Sequence, residues 1–150
     1  MQEKTVGVQI VMPQHCNGYA TPRVFGGQLM AWIDVIGAVA ARRYTGKAVT
    51  TVCVDHLLFI APAYLNDTIV QEAAVTWAGH TSLEVRVDSY VERLDGSRQL
   101  INRAYAVFVA LDEHDQKTTV PPFEPDTLEE KLEYAAAEER RKARLTARQP

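Results

Sequence analysis

The chain lacks the features expected of a secreted, membrane-spanning or nucleic-acid-binding protein. Its longest apolar run, residues 29–41, is shorter than the roughly 20 residues that a bilayer-spanning helix needs. Residues 1–10 include an acid and several polar residues, where a secretory signal would be basic and then apolar. The net charge of −3 gives no general attraction to nucleic acid or to an anionic membrane. We therefore expect a cytoplasmic protein that binds neither.

Motifs for metals, nucleotides and thiol chemistry are also missing. Cys16 and Cys53 form no Cys-x-x-Cys or zinc pattern, and no HxxxH, HExxH, phosphate-binding loop or dinucleotide fingerprint occurs. His15 adjoins Cys16, but a catalytic Cys–His pair is normally brought together by the fold rather than by adjacency in sequence. The sequence therefore predicts no metal site and no separate cofactor, and it argues against a thiol nucleophile.

The apolar pattern predicts five strands and two helices in a chain of 150 residues, the usual size of one domain. A helix from Phe25 to about Tyr44 is apolar on most faces and should be buried on most sides. A polar, solvated helix begins at Thr127. The predicted strands cover residues 5–11, 49–59, 68–78, 82–94 and 98–111. This order fits an α+β arrangement, in which one antiparallel sheet wraps around one long helix.

Asp34 lies between Ile33 and Val35 in the predicted buried helix. An ionised carboxylate in apolar surroundings is costly unless it is paired, hydrogen-bonded or faces a cleft. Such carboxylates concentrate at functional sites. A structural aspartate that binds a backbone group or lies at an exposed edge explains the position equally well.

Phe25, Gly26 and Gly27 stand where the same helix begins. Two glycines there allow a ligand to approach free N–H groups at the positive end of the helix dipole, which could hold a thioester carbonyl. A tight turn that needs glycine for its geometry is the alternative.

In the preceding loop, Asn17 could polarise a carbonyl or position a water, but an Asn-Gly pair is usually a turn.

Asn17 followed by FGGQLMAWID (25–34) resembles the acyl-CoA thioesterases of the hotdog fold, of the YciA-like and cytosolic acyl-CoA hydrolase type. The resemblance continues through AVTTVCVDHLLFIAP (48–62), AGHTSLEV (78–85) and residues 101–123. It covers nearly the whole chain, and the spacing of FGG to the aspartate is specific. It implies a hotdog domain over residues 1–123 and a C-terminal polar helix or tail over 124–150.

The resemblance also implies a reaction, which is hydrolysis of acyl-CoA to a free carboxylic acid and CoA. Asp34 would be the catalytic carboxylate, acting as general base or as nucleophile, and Asn17 would face it across a subunit boundary of a homodimer that assembles into a hexamer. CoA is then part of the substrate and not a cofactor. The implied catalytic residues are Asp34 and Asn17, and the implied substrate-binding residues are Phe25, Gly26, Gly27, Gly79, His80, Thr81 and Ser82.

One segment departs from the family pattern. Residues 17–25 are about two residues longer than the usual spacing, so residues 20–22 should bulge outward, which would displace Asn17.

The main alternative to hydrolysis is an acyl-CoA-binding hotdog protein without turnover, which should lack a carboxylate on the helix. A dehydratase would need a His with an acidic partner, and an oligomerising scaffold would not explain Asp34.

The end of the second helix is strongly cationic. Residues 140–148 contain five cations and no acid: Arg140, Arg141, Lys142, Arg144 and Arg148. A solvated helix end whose cations favour its own C-terminal dipole is one interpretation. Contact with the phosphates of CoA is the other.

Overall fold

A computed structural model describes residues 3–148 of the chain. Its two helices are α1 (Gly26–Thr45) and α2 (Leu128–Ala147), and a short 3-10 turn covers Pro13–His15. The strands are β1 (Thr5–Ile10), β2 (Cys16–Asn17), β3 (Arg23–Val24), β4 (Ala48–Phe59), β5 (Thr68–Ala78), β6 (Ser82–Glu92) and β7 (Arg98–Leu111). The predicted elements are confirmed within a few residues, and the hairpin β2–β3 is an addition in the segment expected to be irregular.

The five long strands form one antiparallel sheet in the order β1-β5-β6-β7-β4. Helix α1 lies on the inner face of this sheet, against residues that alternate along each strand, as Leu83, Val85 and Val87 do along β6. The helix approaches the sheet closely at Gly37, where a Cβ atom would lie 3.1 Å from the ring of Phe108. The predicted arrangement of a sheet around a central helix is therefore confirmed.

Most residues of α2 are exposed, as the sequence analysis expected, but one face of the helix packs on the outer face of the sheet. Glu84 of β6 is fully buried beneath it. Its carboxylate accepts hydrogen bonds from Arg140 at 2.8 and 3.0 Å, from Arg144 at 3.1 Å and from Thr76 at 2.6 Å. The few apolar anchors of α2 gave no sign of this packing, because the helix is held mainly by buried ion pairs.

Burial and hydrogen bonding act on the pKa of Glu84 in opposite directions. Burial raises the pKa of the carboxyl group, but the hydrogen bonds from Arg140 and Thr76 favour its charged form and bring the pKa below its ordinary value. Glu84 is therefore ionised at neutral pH, and its charge ties α2 to β6.

One face of α1 is exposed, contrary to the expectation that the helix is buried on most sides. Val35 is 63% exposed and Met30 is 45% exposed, because the sheet of one protomer covers only one side of the helix. The end of β4 and the segment after it are also apolar and exposed, at Leu58, Phe59 and Ile60. Exposed apolar surface of this extent is typical of an interface between subunits. No helix within residues 3–148 is long and apolar enough to cross a membrane.

Candidate active site

Asp34 is held by a side chain on the neighbouring strand β4. Thr51 donates a hydrogen bond of 2.6 Å from Oγ1 to Oδ1 of Asp34. The aspartate is half-buried and adjoins the exposed Val35, so its carboxylate lies at the rim of the inner face and remains accessible to a ligand. The partner of the carboxylate is a threonine side chain and not a backbone group, so a position at an exposed edge is the structural alternative that remains.

The glycines that begin α1 leave their amides open. Phe25 is the N-cap residue and provides no side-chain cap, so the N–H groups of Gly26 and Gly27 have no partner within the helix. Neither glycine has a positive φ. A Cβ atom at either position would meet only ordinary contacts, 3.5 Å from Phe59 or 3.6 Å from Phe25. The turn geometry therefore does not require glycine here, and the two open amides favour the role of a carbonyl-binding site.

The amides and the carboxylate of one protomer lie at different points along α1. Gly27 and Asp34 are seven residues apart on α1, which places them about 10 Å apart along the helix axis. A general base must lie within hydrogen-bonding reach, about 3 Å, of its target proton. The separation along α1 favours a site to which two copies of the helix contribute.

Asn17 lies in the first strand of the hairpin β2–β3, paired with Arg23. The hairpin is anchored to the start of α1, because the Phe25 amide donates to the carbonyl of His15, and the ring of His15 contacts that of Trp32 at 4.8 Å. The extra residues of the loop form the exposed hairpin tip at 18–22. Asn17 itself is exposed in this hairpin, and its place in the site stays a prediction.

The turn from Gly79 to Ser82 joins β5 to β6, and the Gly79 amide donates to the Ser82 carbonyl at 2.8 Å. Glycine is required at position 79, because a Cβ atom would lie 2.5 Å from the ring of Trp77. His80 is exposed at the tip, and its carbonyl accepts from the Val120 amide at 2.9 Å. The turn is therefore fixed on both sides and offers a rigid surface.

The helix-end cations divide into a group that forms ion pairs and a group that does not, so neither interpretation describes all five. Arg140 and Arg144 bind Glu84, and Arg144 also binds Asp55 at 2.8 Å. Lys142 pairs with Glu139 at 3.2 Å. Arg141 and Arg148 instead line a surface groove. Within residues 3–148, Arg141 and Arg148 are the two of these five cations that form no ion pair.

Thr51 is the site residue that the sequence analysis missed. It lies within the matched segment 48–62, but threonines are common in strands, and nothing local distinguishes it from Thr50. Its partner is 17 positions away in the sequence, on another element. Only the packing of β4 against α1 reveals the contact.

Among residues 3–148, no three His, Cys, Asp or Glu side chains lie close enough together to hold a metal ion.

Comparison with known proteins gives consistent matches. The profile of the thioesterase superfamily matches residues 22–95. An uncharacterized acyl-CoA thioester hydrolase, YkhA, of Bacillus subtilis is 34% identical over 140 residues, which are 93% of this chain and 80% of that protein.

Solved structures match over almost the whole chain. An acyl-CoA hydrolase of Staphylococcus aureus, in complex with butyryl-CoA, CoA and CoA disulfide, is 35% identical with a TM-score of 0.86, over 96% of this chain and 89% of that one. An apo-hexameric acyl-CoA thioesterase is 34% identical with a TM-score of 0.88, over 96% and 92%. Alanine variants of the S. aureus enzyme at one asparagine, one aspartate and one threonine have also been solved.

Proposed function

The chain belongs to the thioesterase superfamily and is an acyl-CoA thioester hydrolase of the hotdog fold, and we propose that Asp34 supplies the carboxylate that drives its reaction. The observation that carries the proposal is the contact between Asp34 and Thr51, which orients a half-buried carboxylate at an exposed apolar surface. The hydrolysis converts the thioester of acyl-CoA into a free carboxylic acid and CoA.

The open amides of Gly26 and Gly27 bind the thioester carbonyl in this proposal. They stabilise the oxyanion that forms when the carbonyl carbon is attacked, as donors at the positive end of a helix do. Asn17 lies beside the same helix start and supplies a further polar contact to the carbonyl or to the attacking water. Collapse of the tetrahedral intermediate breaks the C–S bond, and the CoA thiolate takes up a proton.

Asp34 has two chemically complete ways to deliver the attack. As general base it takes a proton from water, whose oxygen then adds to the carbonyl carbon. As nucleophile it adds directly and forms a mixed anhydride, which water then hydrolyses. A single turnover in oxygen-labelled water separates them, because only the nucleophilic route leaves labelled oxygen in the Asp34 carboxylate when water attacks its carbonyl carbon.

The site is shared between protomers, so the active unit is at least a homodimer. The separation of about 10 Å between Gly27 and Asp34 along α1 supports this, since it favours contributions from two helices to one site. The exposed apolar residues Val35, Leu58 and Phe59 provide surface for the contact. We propose a hexamer as the full assembly, as in the similar thioesterase described as hexameric.

The turn 79–82 contacts the CoA part of the substrate, with Thr81 and Ser82 directed to a groove beside it. CoA enters as substrate, and the absence of a metal or other cofactor remains a prediction. The expected cytoplasmic location is also still a prediction, which cell fractionation would check.

Replacing the carboxylate tests the proposal. Asp34→Asn should lower kcat by at least about a hundredfold, the low end for a positioned acid–base group, while the melting temperature changes little because the side chains are isosteric. The assay is CoA release from acyl-CoAs ranging from acetyl to palmitoyl. Asp95→Asn, in the exposed turn between β6 and β7, is the matched control and should keep full activity. Asp34 has no catalytic role if its variant keeps more than a tenth of wild-type turnover.

A further inference from the structure

A groove on the outer face of the sheet combines cations with the turn 79–82. It has a volume of about 200 Å³ and lies between α2, the edge of β4 and the start of β6. We call it the cationic groove. Its lining residues include Trp77, Thr81, Ser82, Lys117, Arg141 and Arg148.

The groove concentrates positive charge on a chain whose net charge is −3. No acidic side chain lines it. Within residues 3–148, neither Lys117 nor Arg141 nor Arg148 has a carboxylate oxygen within 4.0 Å, whereas Arg144 at the groove wall is neutralised by Glu84 and Asp55. Three uncompensated cations therefore converge on one concave surface, and such a surface attracts anions.

The dipole of α2 does not account for this cluster. Cations near a helix C-terminus are favoured by the dipole, which would explain Arg141 and Arg148. Lys117, however, lies in the segment after β7 and not on the helix. Convergence of cations from two separate segments points to a ligand.

Two groove residues are fixed in position before any ligand binds. The guanidinium of Arg141 lies over the ring of Trp77, 5.0 Å from its centroid, and Trp77 itself is buried. Gly79 leaves room for that ring, since a Cβ atom there would lie 2.5 Å from it. A guanidinium held in this way loses little conformational freedom on binding an anion, and its planar donors suit phosphate oxygens.

The groove is continuous with the strand that carries the catalytic contact. Val52 lines the groove, and its neighbour Thr51 donates to Asp34. Across the sheet, Thr51 is paired with Phe108, and Phe108 is paired with Leu83, which directly follows the groove residue Ser82. Two strand spacings, or roughly 10 Å, separate Thr51 from the turn. The groove and the carboxylate therefore lie at the same end of the sheet.

We propose that the cationic groove binds the phosphate groups of a nucleotide, and that this nucleotide is the phosphorylated end of the CoA substrate. The proposal rests on the proposed thioesterase function. Lys117, Arg141 and Arg148 supply the charges, and the hydroxyl groups of Thr81 and Ser82 supply neutral donors. A free phosphorylated nucleotide has the same chemistry, so the test separates the two sources.

The test compares two variants with the same charge change. The groove variant combines Lys117→Gln, Arg141→Gln and Arg148→Gln. The control variant combines Arg42→Gln, Arg43→Gln and Lys131→Gln, three exposed cations outside the groove. Each protein is assayed with acyl-CoA and with the corresponding acyl-pantetheine thioester, which lacks the nucleotide. Binding of adenosine 3′,5′-bisphosphate is measured separately by calorimetry.

The groove variant should raise the KM for acyl-CoA at least about threefold at low salt, since three exposed ionic contacts are lost. The difference should shrink at high salt. Its kcat, and its KM for acyl-pantetheine, should match those of the control variant. Lost bisphosphate binding with an unchanged KM for acyl-CoA would assign the groove to a free nucleotide instead of the substrate.

The proposal is overturned if the groove variant keeps wild-type bisphosphate affinity and wild-type KM for acyl-CoA. The calorimetric measurement needs no turnover. A wild-type protein that binds the bisphosphate in the groove but hydrolyses no acyl-CoA would therefore refute the thioesterase function and leave the phosphate site standing.

Discussion

At the scale of single residues, one hydrogen bond holds the carboxylate of Asp34, the proposed catalytic group. Oδ1 of Asp34 accepts from Thr51 at 2.6 Å, so the rotation of the carboxylate is restricted and Oδ2 is directed away from this contact. A carboxylate that is held in one orientation spends more of its time in a reactive geometry than one that rotates freely. In the proposed reaction Thr51 is thus a positioning residue, which acts through Asp34.

Replacing Thr51 tests this role. Thr51→Val keeps the shape of the side chain but removes the donor, and kcat should fall about tenfold, the effect of losing one hydrogen bond to a charged group. Thr51→Ser retains the hydroxyl group and should recover most of the rate. KM should change little in both variants, because the contact serves the carboxylate and not substrate binding. Equal rates for the valine and serine variants would contradict a role that depends on the hydroxyl group.

At the scale of elements, α2 is attached to the sheet mainly through charge. Glu84 on β6 binds Arg140 and Arg144, and Arg144 reaches Asp55 on β4. Arg140 also lies over the ring of Tyr105 on β7, 3.6 Å from its centroid. One helix is thereby connected to three adjacent strands. Removal of one partner from such a buried network leaves an uncompensated charge, which costs far more than the loss of an exposed pair.

The network predicts a specific acid sensitivity. The pKa of Glu84 is lowered in the folded protein, so its contribution to stability is present above its ordinary pKa of 4.5 and is lost as the pH falls through the lowered value. The free energy of unfolding of the wild-type protein should therefore fall as the pH is lowered below about 4.5. Urea unfolding as a function of pH measures this loss.

Glu84→Gln is the matched variant for the same experiment. At pH 7 it should be less stable by about 3 kcal/mol, because Arg140 and Arg144 lose the buried carboxylate. Its stability should also fall less steeply in acid than that of the wild type. Lys142→Gln removes an exposed pair with Glu139 and should stay within about 0.5 kcal/mol of wild type. If Glu84→Gln were as stable as the wild type, packing alone would account for the attachment of α2.

At the scale of the whole molecule, the proposed site is completed by association of protomers. The open amides of Gly26 and Gly27 and the carboxylate of Asp34 lie two helical turns apart on one α1. The exposed apolar side chains beside them, including Val35 and Phe59, are costly to leave in water. The same surface that favours association therefore also assembles the proposed site.

A shared site predicts complementation between inactive proteins. Asn17→Ala and Asp34→Asn should each be weakly active alone, because every site in either assembly lacks one residue. In a co-expressed mixture each mixed dimer has one intact site, so activity should recover to about a quarter of wild type if pairing is random. The two variants purified separately and mixed only before the assay are the control. No recovery in co-expressed protein would place Asn17 and Asp34 of the same protomer in one site.

The sequence alone determined the main strands and both helices of this protein. Strands β4 to β7 and helix α1 follow from apolar periodicity, since each must turn one face to the core. The capping box of Thr127 and Glu130 begins α2 near the predicted residue, because both groups are local in sequence. The family resemblance supplied the thioesterase activity and singled out Asp34, whose catalytic role remains a proposal.

The tertiary structure alone decided what each charged or polar side chain meets. Thr51 reaches Asp34, and Arg140 reaches Glu84, across 17 and 56 positions of the chain, while Arg141 and Lys117 come to the same groove from different segments. Periodicity reports which face of an element is apolar, but it contains no information about which elements become neighbours. Ion pairs and ligand sites depend on distances of a few ångströms between such elements, so they exist only once the sheet and both helices have packed.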